Sequence, residues 1–213
     1  MQSVALIDYG SGNLRSAERA LVEAARRRGL SVDVRVTADP DLIAKADRVF
    51  LPGVGAFASC REGLDAAGVV EAMNEAVKVR GVPFLGICVG MQLLATRGLE
   101  FRITPGLDWI TGEVKKLEPL DPTLTIPHMG WNAVERVREH PLFAGVPANS
   151  PMYYANSFAL DAADPADVVA VSDHGGRFTA AVARGNVAGA QFHPEKSQDS
   201  GLSFLANFLE WRP

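Results

Sequence analysis

The first half of the chain alternates short apolar runs with longer stretches of helical spacing, and that alternation sets the class of fold. Val4-Ala5-Leu6-Ile7 is closed by Asp8 and the glycines of DYGSGN. Asn13 then stands as the cap of a helix whose apolar positions, Leu14, Ala17, Leu21 and Ala24 or Ala25, recur at helical spacing. Gly29 ends that helix, after Arg26, Arg27 and Arg28 in the last turn, where cations suit the helix dipole. Val32, Val34 and Val36 alternate as a strand, and Arg48-Val49-Phe50-Leu51 is another, stopped by Pro52-Gly53. A helical stretch broken near Gly68 runs to about Val79, and Pro83-Phe84-Leu85-Gly86-Ile87 is a fourth buried strand. Strands alternating with helices imply parallel pairing through right-handed crossovers.

The second half reads as strands over 112–118, 130–137, 153–160, 167–172, 178–183 and 187–192, with one helix from Gly201 to Trp211. No repeat, low-complexity tract or linker divides the chain. Residues 1–213 are therefore read as one α/β domain with an open, mostly parallel central sheet and antiparallel additions. In such sheets ligands bind beyond the carboxyl ends of the strands. That rule selects the loops Asp8–Asn13, Pro52–Phe57, Cys88–Gln92 and His193–Ser197.

Composition narrows the function. At 213 residues, 47% hydrophobic and 22% charged, the chain is long enough for a well-buried core and has no disordered signature. A net charge of -4 argues against nucleic acid as partner. The opening MQSVALIDYG is too short and too quickly polar for a signal peptide, and no apolar run approaches the ~18 residues of a membrane span. The expectation is a soluble, cytoplasmic protein. Cys60 and Cys88 lack CxxC spacing, so neither a disulfide framework nor a zinc site is expected, and no metal or cofactor is implied.

Cys88 sits in Gly86-Ile87-Cys88-Val89-Gly90, between a buried strand and the helical start Met91-Gln92-Leu93-Leu94. A nucleophile flanked by glycines at a strand-to-helix turn forms an elbow: the backbone turns sharply and the helix N–H groups face an incoming oxyanion. The helix terminus also lowers the thiol pKa. The alternative is an inert core thiol, which is the reading for Cys60. A cysteine nucleophile needs a base. His193 follows the apolar run ending at Phe192, and Glu195 lies two residues on, spaced to set the imidazole tautomer. Alone, a His-x-Glu is an ordinary surface pair. His140 and His174 lie in polar turns; His128 is a better rival but has no carboxylate near it in sequence.

Together, GICVGMQLL and QFHPEKS closely resemble the class I glutamine amidotransferases, along the full length of the chain. The resemblance implies the flavodoxin-like fold of that family and a Cys88–His193–Glu195 triad. Within the family, PGVGAF (52–57), PHMGWN (127–132) and DYGSGN (8–13) resemble the glutaminase subunits of imidazole glycerol phosphate synthases. That resemblance implies that Cys88 attacks the side-chain amide of glutamine, that a thioester forms, and that water releases glutamate. It implies that backbone N–H groups of Val89 and of Gly53–Val54 hold the oxyanion, after a peptide flip in the Pro52–Gly55 loop that a partner controls. By the same likeness, Gly55 and Gln92 contact the substrate. Ammonia is then expected to pass through an enclosed path to a (β/α)8-barrel synthase subunit in a heterodimer, with Asn13, Trp131, Asn132 and Lys196 near that interface. One departure stands out: Asn156 and Phe158 occupy positions where relatives usually carry histidine and often tyrosine. That leaves the triad intact and bears on coupling to the partner. Two alternatives stay open on sequence alone: another enzyme on the same scaffold, such as a γ-glutamyl hydrolase, and a silent regulatory subunit.

Overall fold

The apolar runs of the first half become neighbouring parallel strands. A computed structural model describes all residues from Met1 to Pro213. In chain order the first half holds β1 (Gln2–Ile7), α1 (Leu14–Arg27), β2 (Val32–Thr37), α2 (Pro40–Lys45), β3 (Arg48–Leu51), α3 (Phe57–Ala67), α4 (Val70–Asn74) and β4 (Phe84–Ile87). A π-helical turn over Glu75–Val79 extends α4. The second half holds α5 (Val89–Gln92), β5 (Arg97–Gly98), β6 (Thr104–Pro105), β7 (Gly112–Lys116), β8 (His128–Ala133), β9 (Glu135–Arg136), β10 (Pro151–Asn156) and β11 (Phe158–Ala162). It closes with β12 (Val168–Asp173), β13 (Arg177–Arg184), β14 (Val187–Ala190) and α6 (Gln198–Glu210).

The main sheet has eight strands in the order β2-β1-β3-β4-β14-β13-β12-β9. The pairs from β2 to β14 are parallel, and β13, β12 and β9 extend the sheet antiparallel. The chain steps outward from β1 to β2 and back across β1 to β3. With right-handed crossovers, α1 and α2 therefore cover opposite faces. β1, β3, β4 and β14 are consecutive neighbours, so the four loops selected by the carboxyl-end rule leave one edge side by side.

Local chemistry explains the helix ends. Asn13 Oδ1 accepts from Ser16 N–H at 3.3 Å and starts α1. Asp39 accepts from Asp41 N–H at 2.9 Å, with Pro40 as first helical residue of α2, an element the apolar pattern does not reveal. The second half departs further from expectation. Segment 153–160 is two strands in different sheets: β10 pairs with β8 in a two-stranded ribbon, and β11 joins β7, β5 and β6. Segment 130–137 likewise divides between β8 in the ribbon and β9 in the main sheet. The last helix begins at Gln198 and ends at Glu210, with Trp211 as its cap. No helix is long and apolar enough to cross a membrane.

The core beneath the carboxyl edge is aromatic. Phe192 is fully buried and meets Phe204 of α6 at 5.2 Å between ring centroids, and Phe204 meets Phe143 at 5.1 Å. Each such ring contributes roughly 1.5–3 kcal/mol through burial. This anchor fixes the chain between Gln191 and His193.

Candidate active site

Cys88 occupies the single residue between β4 and α5, with φ 54° and ψ -113°. A non-glycine residue rarely adopts such torsions, and those that do cluster at functional sites. Close approach by two glycines makes the elbow possible. A Cβ on Gly86 would lie 2.4 Å from the Gly90 carbonyl oxygen, and one on Gly90 would lie 2.0 Å from that of Leu51. The Cys88 N–H donates to the Ala190 carbonyl at 2.8 Å, tying the elbow to β14. Val89 opens α5, and first-turn N–H groups have no acceptor inside their own helix.

His193 lies three residues past β14 and begins the 3-10 turn Pro194–Lys196. Its Nδ1 meets Glu195 Oε1 at 2.8 Å, with both side chains buried. That contact leaves Nε2 for the thiol. Burial pushes the imidazole pKa down, but Cys88 and Glu195 outweigh it and raise His193 to about 10. The structure thus gathers Cys88, His193 and Glu195 at one point on the sheet edge.

Cys88 and His193 open on a cavity of about 290 Å³ whose wall also includes Val54, Gly55, Gln92 and Glu100. The size suits a free amino acid. Gln92 is buried; its Nε2 donates to the Phe158 carbonyl at 2.9 Å and to Gln191 Oε1 at 3.0 Å. Asn156 also lines the cavity and donates to the Phe158 carbonyl at 3.0 Å, while its Oδ1 is buried without a partner. Glu100 is a wall residue that sequence reasoning misses, because a lone acid in a polar loop carries no signal. Its Oε2 accepts from Phe57 N–H at 2.8 Å, which holds the carboxylate against the start of α3.

The Pro52–Gly55 loop is gripped from below. The Tyr9 hydroxyl donates to the Pro52 carbonyl at 2.8 Å, and burial pushes that phenol well above its ordinary pKa, so it stays protonated. The Val54 carbonyl accepts from Ser11 Oγ at 2.6 Å and from the Cys60 thiol at 3.3 Å. The Val54 N–H reaches only Ser11 Oγ, at 3.4 Å. Cys60 is buried, as expected of a core thiol, but it also holds this loop.

Of the four residues assigned to an interface, Trp131 and Lys196 gather around one ring. Trp131 meets Tyr153 edge-on at 5.9 Å, and Lys196 Nζ lies 5.5 Å over the same ring. Trp131 is 48% exposed, which sets aside a core role. Asn132 is half-buried and donates to the Asp173 carbonyl at 2.7 Å. Asn13 is exposed and serves α1 as its cap; no hydrogen bond joins it to the cluster. His128 is buried between Tyr154 and His174, and burial, with the charge of His174, pushes it down to about 4. It is neutral near pH 7 and faces no carboxylate. A larger cavity of about 390 Å³, lined by Leu117, Leu160 and Phe178 and rimmed by Lys116 and Arg177, contains no nucleophile with a base.

Comparison with known proteins bears on this arrangement. A family model described as "Glutamine amidotransferase class-I" matches residues 5–211. The chain is 76% identical over 213 residues to a Caulobacter vibrioides protein named imidazole glycerol phosphate synthase subunit HisH, covering 100% of each. It is 54% identical over 214 residues to a protein of the same name from Brucella melitensis, covering 99% of each. Among solved structures, a chain of PurLQS from Thermotoga maritima aligns with TM-score 0.70 at 19% identity, over 98% of both chains. At that identity the likeness is one of fold.

Proposed function

The chain belongs to the class-I glutamine amidotransferases, and from that premise we propose that it is the glutaminase subunit of an imidazole glycerol phosphate synthase. The observation that carries the reading is Cys88 on its strained elbow, beside the buried His193–Glu195 pair, at a cavity sized for glutamine. Names of relatives matched over their whole length support the choice within the family.

In this reading His193 first takes the proton of the Cys88 thiol. The sulfur attacks the side-chain amide carbon, and charge moves onto the carbonyl oxygen. His193 then gives its proton to the departing nitrogen, which leaves as ammonia, and a glutamyl thioester remains. Water, deprotonated by His193, attacks the thioester and releases glutamate. Glu195 orients the imidazole and offsets its charge. Glu100 supplies the counter-charge for the α-ammonium of glutamine, while Gly55 and Gln92 shape the wall.

The oxyanion is received by Val89 N–H and by the Gly53–Val54 peptide once the Val54 N–H leaves Ser11. Pinned carbonyls at Pro52 and Val54 flank that peptide. It can therefore invert between fixed ends, which gives a partner something to control. The partner is a (β/α)8-barrel synthase subunit that consumes the ammonia. It docks in a heterodimer over the surface carrying Trp131 and Lys196, with Asn13 and Asn132 at its margin. The whole chain, 1–213, acts as one domain in the cytoplasm.

Glutamate release from glutamine, measured with and without the barrel subunit and its ribonucleotide ligand, tests this. The expected result is strong stimulation that disappears in Cys88→Ala. Stimulation that survives the substitution would remove Cys88 from the mechanism. Absence of release under every condition would instead favour a silent subunit.

A further inference from the structure

If Cys88 is the nucleophile, as the proposed function has it, one buried residue beside it has no role in that reading. Gln191 has no exposed surface, although its neighbours in β14 are apolar. Ala190 pairs with Ile87 across the parallel strands β14 and β4, so Gln191 and Cys88 form the next rung, just past both strand ends. Gln191 and His193 are two residues apart about the Phe192 anchor, and both reach the sulfur: Gln191 Nε2 lies 3.6 Å from Cys88 Sγ, and His193 draws its raised pKa from Cys88 and Glu195.

The polarity of the Gln191 amide follows from its neighbours. The Phe158 backbone carbonyl can only accept, and it takes one bond from Asn156 Nδ2 and another from Gln92 Nε2. Gln92 therefore turns its NH2 toward Phe158, and the same NH2 donates to Gln191 Oε1 at 3.0 Å. With its oxygen committed to Gln92, Gln191 presents N–H to the sulfur. A main-chain carbonyl thus sets the direction of two amides in series.

We propose that Gln191 is a catalytic residue, donating a hydrogen bond to Cys88 Sγ and stabilising the thiolate that attacks glutamine. A donor at sulfur favours the anion over the thiol, since a charged acceptor makes the stronger bond. Gln92 orients Gln191 as well as lining the substrate cavity.

The test is the pH dependence of Cys88 alkylation by iodoacetamide in the full chain, alone and with the barrel subunit, with the modified peptide identified by mass. Titratable groups facing Cys88 are His193, Glu195 behind it, Glu100 and Lys196 across the cavity, and Tyr9 and Cys60 beneath the Pro52–Gly55 loop. All are retained in the two variants. Gln191→Met removes the donor at similar length and leaves Gln92 bonded to Phe158. Gln191→Leu removes the donor with a different apolar side chain, adds no titratable group, and guards against a folding failure in the first.

The expected result in both is an alkylation midpoint about one pH unit higher. Labelling at pH values below both midpoints should be about ten-fold slower, with a plateau rate at high pH within about two-fold of wild type. An unchanged midpoint in a folded variant, while wild type labels at Cys88 and releases glutamate, would overturn the role of Gln191 alone. Wild type that neither labels at Cys88 nor releases glutamate would overturn the nucleophile assignment, and the role of Gln191 with it.

Discussion

The backbone amide of His193 donates to the carbonyl of Tyr153 at 2.8 Å, so the assigned base is fastened to the exposed ribbon of β8 and β10. Ser197 closes the joint. Its hydroxyl accepts from Tyr153 N–H at 3.0 Å and donates to the His193 carbonyl at 2.6 Å. Ser197→Ala leaves the Tyr153 N–H unpaired and takes one of two donors from the His193 carbonyl, which keeps the Lys196 N–H at 3.0 Å, at a cost of about 1–3 kcal/mol. The expected outcome is a melting temperature lower by several degrees, with kcat reduced more than KM. Equal kcat in a destabilised variant would show that the clamp serves folding only.

The charge on His193 gives a pH signature. Its folded pKa of about 10 lies above the ordinary 6.5. Its contribution to stability is therefore complete below about pH 6.5 and fades as pH rises through about 10. Glu195→Gln removes one of the two groups holding that value up. The alkaline limb of the kcat/KM profile should move to lower pH, and the maximum rate should fall about ten-fold or more. A pH–rate profile with an unmoved alkaline limb would contradict the assignment of Glu195.

Ser11 Oγ is the acceptor for the Val54 N–H in this resting loop. Ser11→Ala takes that acceptor away and weakens the hold on the Val54 carbonyl. Glutamate release without the barrel subunit should rise about three- to ten-fold, the worth of one ordinary hydrogen bond. Release in the full complex should change much less. A variant whose basal rate falls would mean that Ser11 supports the active loop instead.

Asn156 lies in the cavity wall and leaves Oδ1 without a partner. Asn156→His adds a ring that can carry charge at this position. Basal and stimulated turnover are expected to diverge from wild type by different factors, changing their ratio by about three-fold or more, since one hydrogen bond is worth that much. Steady-state kinetics with and without the barrel subunit read that ratio, and an unaltered ratio would dismiss the position as a coupling element.

Trp131 and Lys196 converge on Tyr153 from the solvent side. Trp131→Ala should leave the melting temperature of the isolated subunit within about 2 °C of wild type and weaken binding of the barrel subunit about ten-fold or more. Lys196→Ala should reduce affinity or stimulation. Calorimetric titration measures the first effect and coupled turnover the second.

The site is legible in the sequence where chemistry and local rules agree. β3 and β4 are buried over their whole length, so they read as apolar runs, and the order of runs and helices is enough to place the loops after them on one edge. Cys88 is legible through its glycines and His193 through the apolar run before it. Gln191 is not, because one polar residue in an apolar run gives no hint of which neighbour it will face; only the pairing of β14 with β4 supplies that. β10 and β11 merge in the sequence because a single residue, Ser157, separates them. The switch from one sheet to another there is made by tertiary pairing, with neither glycine nor proline to mark it. α2 escapes notice despite its Asp39-Pro40 start, since six residues with one buried apolar side chain show no periodicity.

The torsions of Cys88 also bear on how this chain would decay. At φ 54° a residue without a side chain sits more easily than any other. Selection for robust folding alone would draw the position toward glycine and away from sulfur. Under the proposed function, it is the continuing demand for turnover that keeps cysteine there. In a lineage no longer needing the ammonia, this residue is among the first expected to disappear, and the scaffold around it would outlast the chemistry.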